Sequence, residues 1–176
     1  EAIEVAYPVL DQMRSEGIVK AIGLGMNWCP ASIEIIKNTD LNIALIAGRF
    51  TLLDQSAQDE LYPLALKKKV SIVAAGVYNT GVLANPVEGA LFDYAPASKE
   101  IINRALEIRD FLKDFNVPLT AAAMQFPLRH PAVITVLNGA GTVSELKDNI
   151  AAFDFELPAN LWSELESAGL ISPVNI

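Results

Sequence analysis

Apolar positions fall into blocks whose period changes along the chain. Ile3, Tyr7, Leu10 and Met13 recur at helical spacing across residues 2–16, and Gly17 marks the stop. Ile18 to Leu24 is an apolar run of strand length, interrupted only by Lys20. Pro30, Ala31 and Ser32 then open a helix over residues 31–38, with Ile33, Ile35 and Ile36 on its inner side. Leu41 to Ala47 is unbroken, the pattern of a strand in a parallel sheet buried on both faces. Asp54 suits the cap of a helix over 55–69, whose closing Lys67, Lys68 and Lys69 match the negative end of the helix dipole. Val70–Ala75 reads as a third strand. Residues 76–97 hold Gly76, Gly81, Pro86, Gly89 and Pro96, a long loop of the kind that more often carries function than idles. Helices over 98–115 and 119–126, a fourth strand over 133–137 and helices over 142–153 and 159–168 complete the chain.

Strands alternating with helices predict βα units, a parallel sheet and an α/β fold. Four such strands make a small open sheet or half of an eight-stranded barrel, since a complete (β/α)8 barrel takes about 250 residues and this chain has 176. The sequence therefore reads as one domain over 1–176, without repeats or low-complexity tracts. The first residue is Glu1 rather than Met, which hints at a processed or incomplete chain.

Charge narrows the partners. With 21 acidic and 13 basic side chains the net charge is -8, which argues against a nucleic-acid partner. The longest apolar runs are far shorter than the roughly 20 residues a bilayer span needs, and no basic-then-apolar leader opens the chain, so no membrane partner is expected. The single Cys29 excludes an internal disulfide and fits a reducing, cytoplasmic setting. No cluster has metal-ligand spacing.

In α/β folds, function gathers where strands end at their carboxyl side. Those places are Gly25–Asn27, Gly48–Phe50, Gly76–Asn79 and Asn138–Thr142. In the last, a strand runs through Gly139-Ala140-Gly141 into a helix start. Free amides and the dipole there suit a phosphate, although an ordinary tight turn has the same appearance. The Gly23-x-Gly25 pair lacks the third glycine of a dinucleotide fingerprint. His130, the only histidine, precedes its strand on the side away from those tips and reads as structural. Tyr78 lies on the functional side, with no lysine or carboxylate placed beside it by sequence. No residue qualifies as a catalytic acid, base or nucleophile.

Three runs carry a resemblance: Arg14-Ser-Glu-Gly-Ile-Val-Lys-Ala-Ile-Gly-Leu-Gly-Met-Asn27, Ala47-Gly-Arg-Phe-Thr-Leu-Leu-Asp-Gln55 and Asn138-Gly-Ala-Gly-Thr-Val-Ser-Glu-Leu-Lys-Asp-Asn149. In this order and spacing the chain resembles the aldo-keto reductase superfamily, above all its sugar-dehydrogenase branch of L-fucose, D-threo-aldose and galactose type. The resemblance covers essentially the whole chain and implies the C-terminal half of a TIM (β/α)8 barrel, strands five to eight, a single partial domain. It implies an NAD(P)-dependent oxidoreductase acting on a sugar or small aldehyde carbonyl. The family's catalytic Asp, Tyr, Lys and His belong to the N-terminal half and have no counterpart here, so the chain alone is expected to be inactive.

The resemblance carries over cofactor binding. Asn27 matches the residue that meets the nicotinamide carboxamide. Gly76, Val77, Tyr78 and Asn79 match the loop over the pyrophosphate. Gly139 and Gly141 match the turn at the adenosine ribose, and Glu145, Asp148 and Asn149 the helix face that reads adenine. Ala75 and Ala47 stand where many members carry an aromatic ring and a glutamine. Gly141 stands where NADP-preferring members often carry a cation or serine. With Glu145 nearby, this implies NAD over NADP. The expected partners are a small carbonyl or sugar substrate, and either the N-terminal half of the barrel or a second copy of the chain. The competing reading is a non-catalytic half-barrel that dimerises as an assembly module.

Overall fold

A computed structural model describes residues 1–175. The chain opens with a π-helical segment, Ala2–Ala6, that runs into α1 (Tyr7–Ser15). Pro8 has no N–H to donate to a carbonyl of the preceding turn, and that turn is wide. Gly17 closes α1 as the sequence suggests, with its N–H donating to the Arg14 carbonyl at 3.0 Å.

The remaining elements, in order, are β1 (Gly23–Met26), α2 (Cys29–Asn38), β2 (Ile43–Ala47), α3 (Leu61–Lys68), β3 (Ser71–Ala75), β4 (Leu91–Phe92), β5 (Ala95–Pro96), α4 (Lys99–Lys113), α5 (Leu119–Gln125), β6 (Val133–Leu137), α6 (Val143–Phe153) and α7 (Leu161–Ser167). β1, β2, β3 and β6 form one sheet in that order, every pairing parallel. β4 and β5 form a separate antiparallel hairpin inside the long loop after β3. The parallel α/β architecture read from the alternation is what the chain adopts.

Two boundaries and one burial pattern differ from the sequence reading, each for a local reason. The first strand lies at 23–26 rather than 18–24, because pairing begins only where β2 is alongside. Ile22 is held by Asn42, whose Oδ1 accepts from the Ile22 N–H at 3.0 Å, and Ile18 is exposed. Gly23 then makes the close approach possible: a Cβ there would meet the Ile43 carbonyl oxygen at 2.4 Å. The helix expected at 55–69 is split. Asp54 Oδ1 accepts from the Ser56 N–H and hydroxyl at 2.9 and 2.6 Å beside a short 3-10 turn, Ser56–Gln58, and α3 starts at Leu61 with Pro63 in its first turn.

The third difference concerns burial. Leu41–Ala47 has the composition of a strand covered on both sides, but β2 alternates: Ala44 and Ile46 are buried, while Ile43, Leu45 and Ala47 are half-exposed. β3 shows the same alternation at Ile72 and Ala74 against Ser71 and Val73. One face packs under the helices in a core that includes Ile36, Leu61, Tyr62, Ile108, Leu112, Phe126 and Leu165. The other face, with Ile43, Leu45 and Val73 in register, has no layer over it among the described residues.

Candidate functional site

All four strands of the sheet end at one rim, and the loops leaving them build two adjoining clefts. β2 and β3 leave the sheet by similar turns. At Gly76 the backbone is left-handed, φ +61, and a Cβ would press on the Gly48 nitrogen at 3.2 Å, so only glycine fits without a shift. The two loops are bonded together: the Gly48 N–H donates to the Ala75 carbonyl at 2.8 Å, and Asn79 Nδ2 donates to the Gly48 carbonyl at 3.3 Å.

The first cleft, with about 420 Å³ of free space open to solvent, is lined by Asn27, Ala47, Gly48, Gly76, Asn79, Thr80, Asp93 and Tyr94. Its frame is Arg49. Arg49 Nε donates to the Asn27 carbonyl at 2.6 Å, Nη1 to Asp54 Oδ2 at 3.0 Å and Nη2 to Asp93 Oδ2 at 2.7 Å. One guanidinium thus joins the loops after β1 and β2 to the β4–β5 hairpin. Burial works against its charge, but the bonds to Asp93 and Asp54 outweigh that and hold its pKa above the usual arginine value.

The second cleft, with about 720 Å³ of free space open to solvent, is lined by Tyr78, Ala84, Thr120, Gly139, Glu145, Asp148 and Asn149. Here α6 organises the wall. Thr142 caps it, its Oγ1 accepting from the Glu145 N–H at 3.1 Å, while Glu145 Oε2 accepts from the Gly141 N–H at 2.6 Å. This is a variant of the capping box, shifted one residue upstream. Asn149 Nδ2 donates to the Gly139 carbonyl at 3.2 Å and ties the turn to the helix. The Tyr78 phenol is pushed up by burial and by the negative charge of Asp148, so at neutral pH it stays protonated.

The residues singled out in the sequence therefore divide between the clefts. Asn27, Gly76 and Asn79 line the first; Tyr78, Gly139, Glu145, Asp148 and Asn149 line the second. The adjacent Tyr78 and Asn79 make the clefts neighbours. Gly141 sits at the mouth of the second, its N–H bonded to Glu145. Val77 is different: its side chain is fully buried with Ala121, Met124 and Ala152, so it anchors the loop and has only its backbone to offer a ligand. His130 lies in the core, fully buried, with Nδ1 accepting from the Ala132 N–H at 3.1 Å and its ring against Tyr62 and Phe50.

Sequence reasoning placed Arg49 at a functional strand end and Asp93 and Tyr94 in the long loop, but gave none of the three a role. Arg49 directly follows a glycine at a strand tip, a signal that could have marked it. Asp93 and Tyr94 lie 44 and 45 residues further on, in a loop whose hairpin no periodicity announces.

A sheet of four neighbouring parallel strands in chain order, backed by helices and carrying its clefts at the carboxyl rim, defines part of a (β/α) barrel. A profile of the aldo/keto reductase family matches residues 1–169, and the chain belongs to that family. It is 42% identical over 167 residues to a pyridoxal 4-dehydrogenase of Microbacterium luteolum, covering 94% of this chain and 49% of that protein. It is 38% identical to a D-threo-aldose 1-dehydrogenase of a Pseudomonas species, covering 97% of this chain and 52% of the relative. The chain spans about half the length of the curated relatives it matches. The holo form of an aldo-keto reductase from Bacillus halodurans superposes with a TM-score of 0.77 at 22% identity, over 98% of this chain and 57% of that one, which shows the shared fold. Among the described residues no helix is long and apolar enough to cross a membrane.

Proposed function

We propose that this chain is the nucleotide-holding half of an NAD(P)-dependent oxidoreductase acting on a sugar or small aldehyde carbonyl. One observation carries the reading: eight of the ten residues implied by the family resemblance line two adjoining clefts along one rim of strand tips. An elongated dinucleotide suits that shape, with side-chain amides at Asn27 and Asn79 in one cleft and Asn149 with a glycine turn in the other. The nicotinamide nucleotide would supply the hydride chemistry. The chain's own residues bind and orient. Gly76 lets the backbone come close, Arg49 fixes the strand tips, and Tyr78 offers a protonated hydroxyl in the second cleft.

NAD is favoured over NADP. Glu145 places a carboxylate on the Gly141 N–H, the amide at the turn before α6, where an extra phosphate would otherwise find a donor. By the family resemblance the catalytic residues belong to the N-terminal half of the barrel, and His130, the chain's one histidine, is buried in the core. The isolated chain is therefore expected to bind without turning over. A reducing, cytoplasmic setting suits the unpaired Cys29.

Calorimetric titration with NAD tests the reading. Occupancy at a hundred times Kd stabilises a protein by about 2.7 kcal/mol, which for this size raises the melting temperature by roughly 5–10 °C. A folded sample that binds neither NAD nor NADP at millimolar concentration would sink it.

A second reading has its own observation. The accessible surface is 9500 Å², against about 8,400 Å² for a compact monomer of this mass. Ile134 and Leu137 on the β6 edge are among the exposed apolar residues, as are Val143, Leu146, Ile150 and Phe153 on α6. That surface suits a covering partner, either the N-terminal half of a barrel or a second copy. Sedimentation velocity over a hundredfold concentration range distinguishes a dimer from a monomer.

A further inference from the structure

The turn between β6 and α6 holds a side chain with no part in either cleft. Asn138 is half-buried there, and its Nδ2 is shut away from solvent without a hydrogen-bond partner. An orphaned buried donor of this kind is rare and calls for a reason. Of the eleven asparagines in the chain, Asn138 alone precedes a glycine.

That glycine is open to reaction. Gly139 is exposed, lies beyond Leu137 at the end of β6, and its N–H makes no backbone bond among the described residues. A Cβ at Gly139 would meet nothing within 4 Å, and its φ is outside the left-handed region. The fold therefore does not require glycine here, and its presence leaves a bare backbone nitrogen next to an amide that nothing holds by its nitrogen. Other asparagines are restrained. Asn38, Asn103 and Asn149 sit within helices, Asn79 Nδ2 is bonded to the Gly48 carbonyl, and Asn85 precedes Pro86, which has no N–H to lose.

We propose that Asn138 is a self-modification site, converted to aspartate and isoaspartate through a cyclic imide closed by Gly139. The Gly139 nitrogen gives its proton to a solvent base and bonds to Asn138 Cγ. The Cγ–Nδ2 bond breaks, and the side-chain nitrogen takes a proton from water and leaves as ammonia. Water then opens the five-membered ring at one carbonyl to give aspartate or at the other to give isoaspartate. Water is the sole co-reactant, and nothing is oxidised or reduced. Ring closure expels the orphaned donor itself. A carboxylate suits that buried place less well than the amide, so the turn opens toward solvent. The new charge joins a turn already bonded to Glu145, and isoaspartate lengthens the main chain just before the Gly139 carbonyl that Asn149 holds at 3.2 Å. The modification needs no ligand; only its weakening of the second cleft rests on the nucleotide reading.

The test is to age the folded full chain near neutral and at mildly alkaline pH, map its peptides by mass, assay isoaspartate, and titrate fresh and aged samples with NAD. Asn138 should convert at least tenfold faster than any other asparagine, and faster at the higher pH. Gly139→Ala, which the open space lets fold, should slow it at least fivefold, and Asn138→Gln should abolish it. NAD affinity should fall at least threefold in the aged chain and in Asn138→Asp, but hold in aged Gly139→Ala. Faster conversion elsewhere, indifference to Gly139→Ala, or a folded chain protected more than tenfold relative to the urea-unfolded one would overturn the site. Conversion at Asn138 with NAD affinity unchanged would overturn its effect on the cleft. Conversion in a chain that never binds NAD would uphold the site while removing the nucleotide reading.

Discussion

The two clefts share a wall but are built on different physics. The first is framed by a largely buried guanidinium bonded to three loops, and the next residue, Phe50, belongs to an aromatic group in the core, meeting Tyr62 at 5.1 Å and Phe126 at 5.0 Å between ring centroids. The second rests on a small apolar cluster, Val77, Ala121, Met124 and Ala152, and its outer wall is one helix exposed along most of its length. Its order comes from exposed caps worth little individually. The first cleft is thus positioned by bonds that are expensive to break, while the second is tuned by charge and adaptable.

The contrast breaks most visibly at Arg49. Arg49→Ala leaves Asp54 and Asp93 without their cation and frees the Asn27 carbonyl. Removing one partner of a buried pair costs about 3–5 kcal/mol, and the partial exposure here reduces that to about 2–3 kcal/mol. Thermal unfolding should show a loss of roughly 5–10 °C. A change below 1 °C would mean that the three bonds do not frame the first cleft.

The aromatic core group that holds His130 gives the next effect, read by pH. Burial lowers the His130 pKa below the ordinary 6.5. Nδ1 accepts from a backbone N–H, so the proton of the neutral ring is on Nε2. Below 6.5 the unfolded chain takes up a proton that the folded chain refuses. Stability from this group is present above pH 6.5 and is lost as pH falls toward the lowered folded value, with a slope of at most about 1.4 kcal/mol per pH unit. Urea midpoints between pH 7 and 5 should fall in the unsubstituted chain and fall less in His130→Gln. Parallel profiles would show that His130 does not titrate across folding.

In the softer cleft the corresponding step is smaller. Thr142→Ala removes the cap of α6, which typically costs about 1 kcal/mol. Amide exchange at Glu145 and its neighbours should accelerate about fivefold, while amides of β2 and β3 stay unchanged. An equal change in both places would mean that the clefts unfold as one unit.

The same division separates what was legible in the sequence from what was not. The Gly139–Gly141 turn and the helix start at Thr142 are local, with every partner within about ten residues, so the sequence showed the turn, while Glu145 and Asn149 came from the family resemblance and the Thr142–Glu145 cap from the structure. The parallel sheet was legible for a similar reason: each strand is a short β-rich run between helices. Arg49 and Asp93 are 44 residues apart, and no pattern in either neighbourhood announces that they meet. β2 misled in the opposite direction. Its composition suits burial on two faces, but composition records what a strand tolerates rather than what lies over it. Val77 shows the limit of reading along a motif, since strand-exit geometry turned it into the core between two residues that line the clefts.

The finest distinction between the clefts is electrostatic. Glu145 is exposed, so its field is screened, and its effect on a second anion nearby should be modest at physiological salt. Glu145→Gln removes the charge but retains an oxygen that can accept from the Gly141 N–H, leaving the cap in place. The ratio of NADP to NAD affinity should then rise about threefold at low ionic strength and less than twofold at 0.5 M salt, because the Debye length falls from about 30 Å at 0.01 M to a few ångströms near 1 M. Affinity for NAD itself should hardly move. A salt-independent rise would point to altered shape at the turn instead of charge, and no rise at either salt would mean that Glu145 does not discriminate between the two nucleotides.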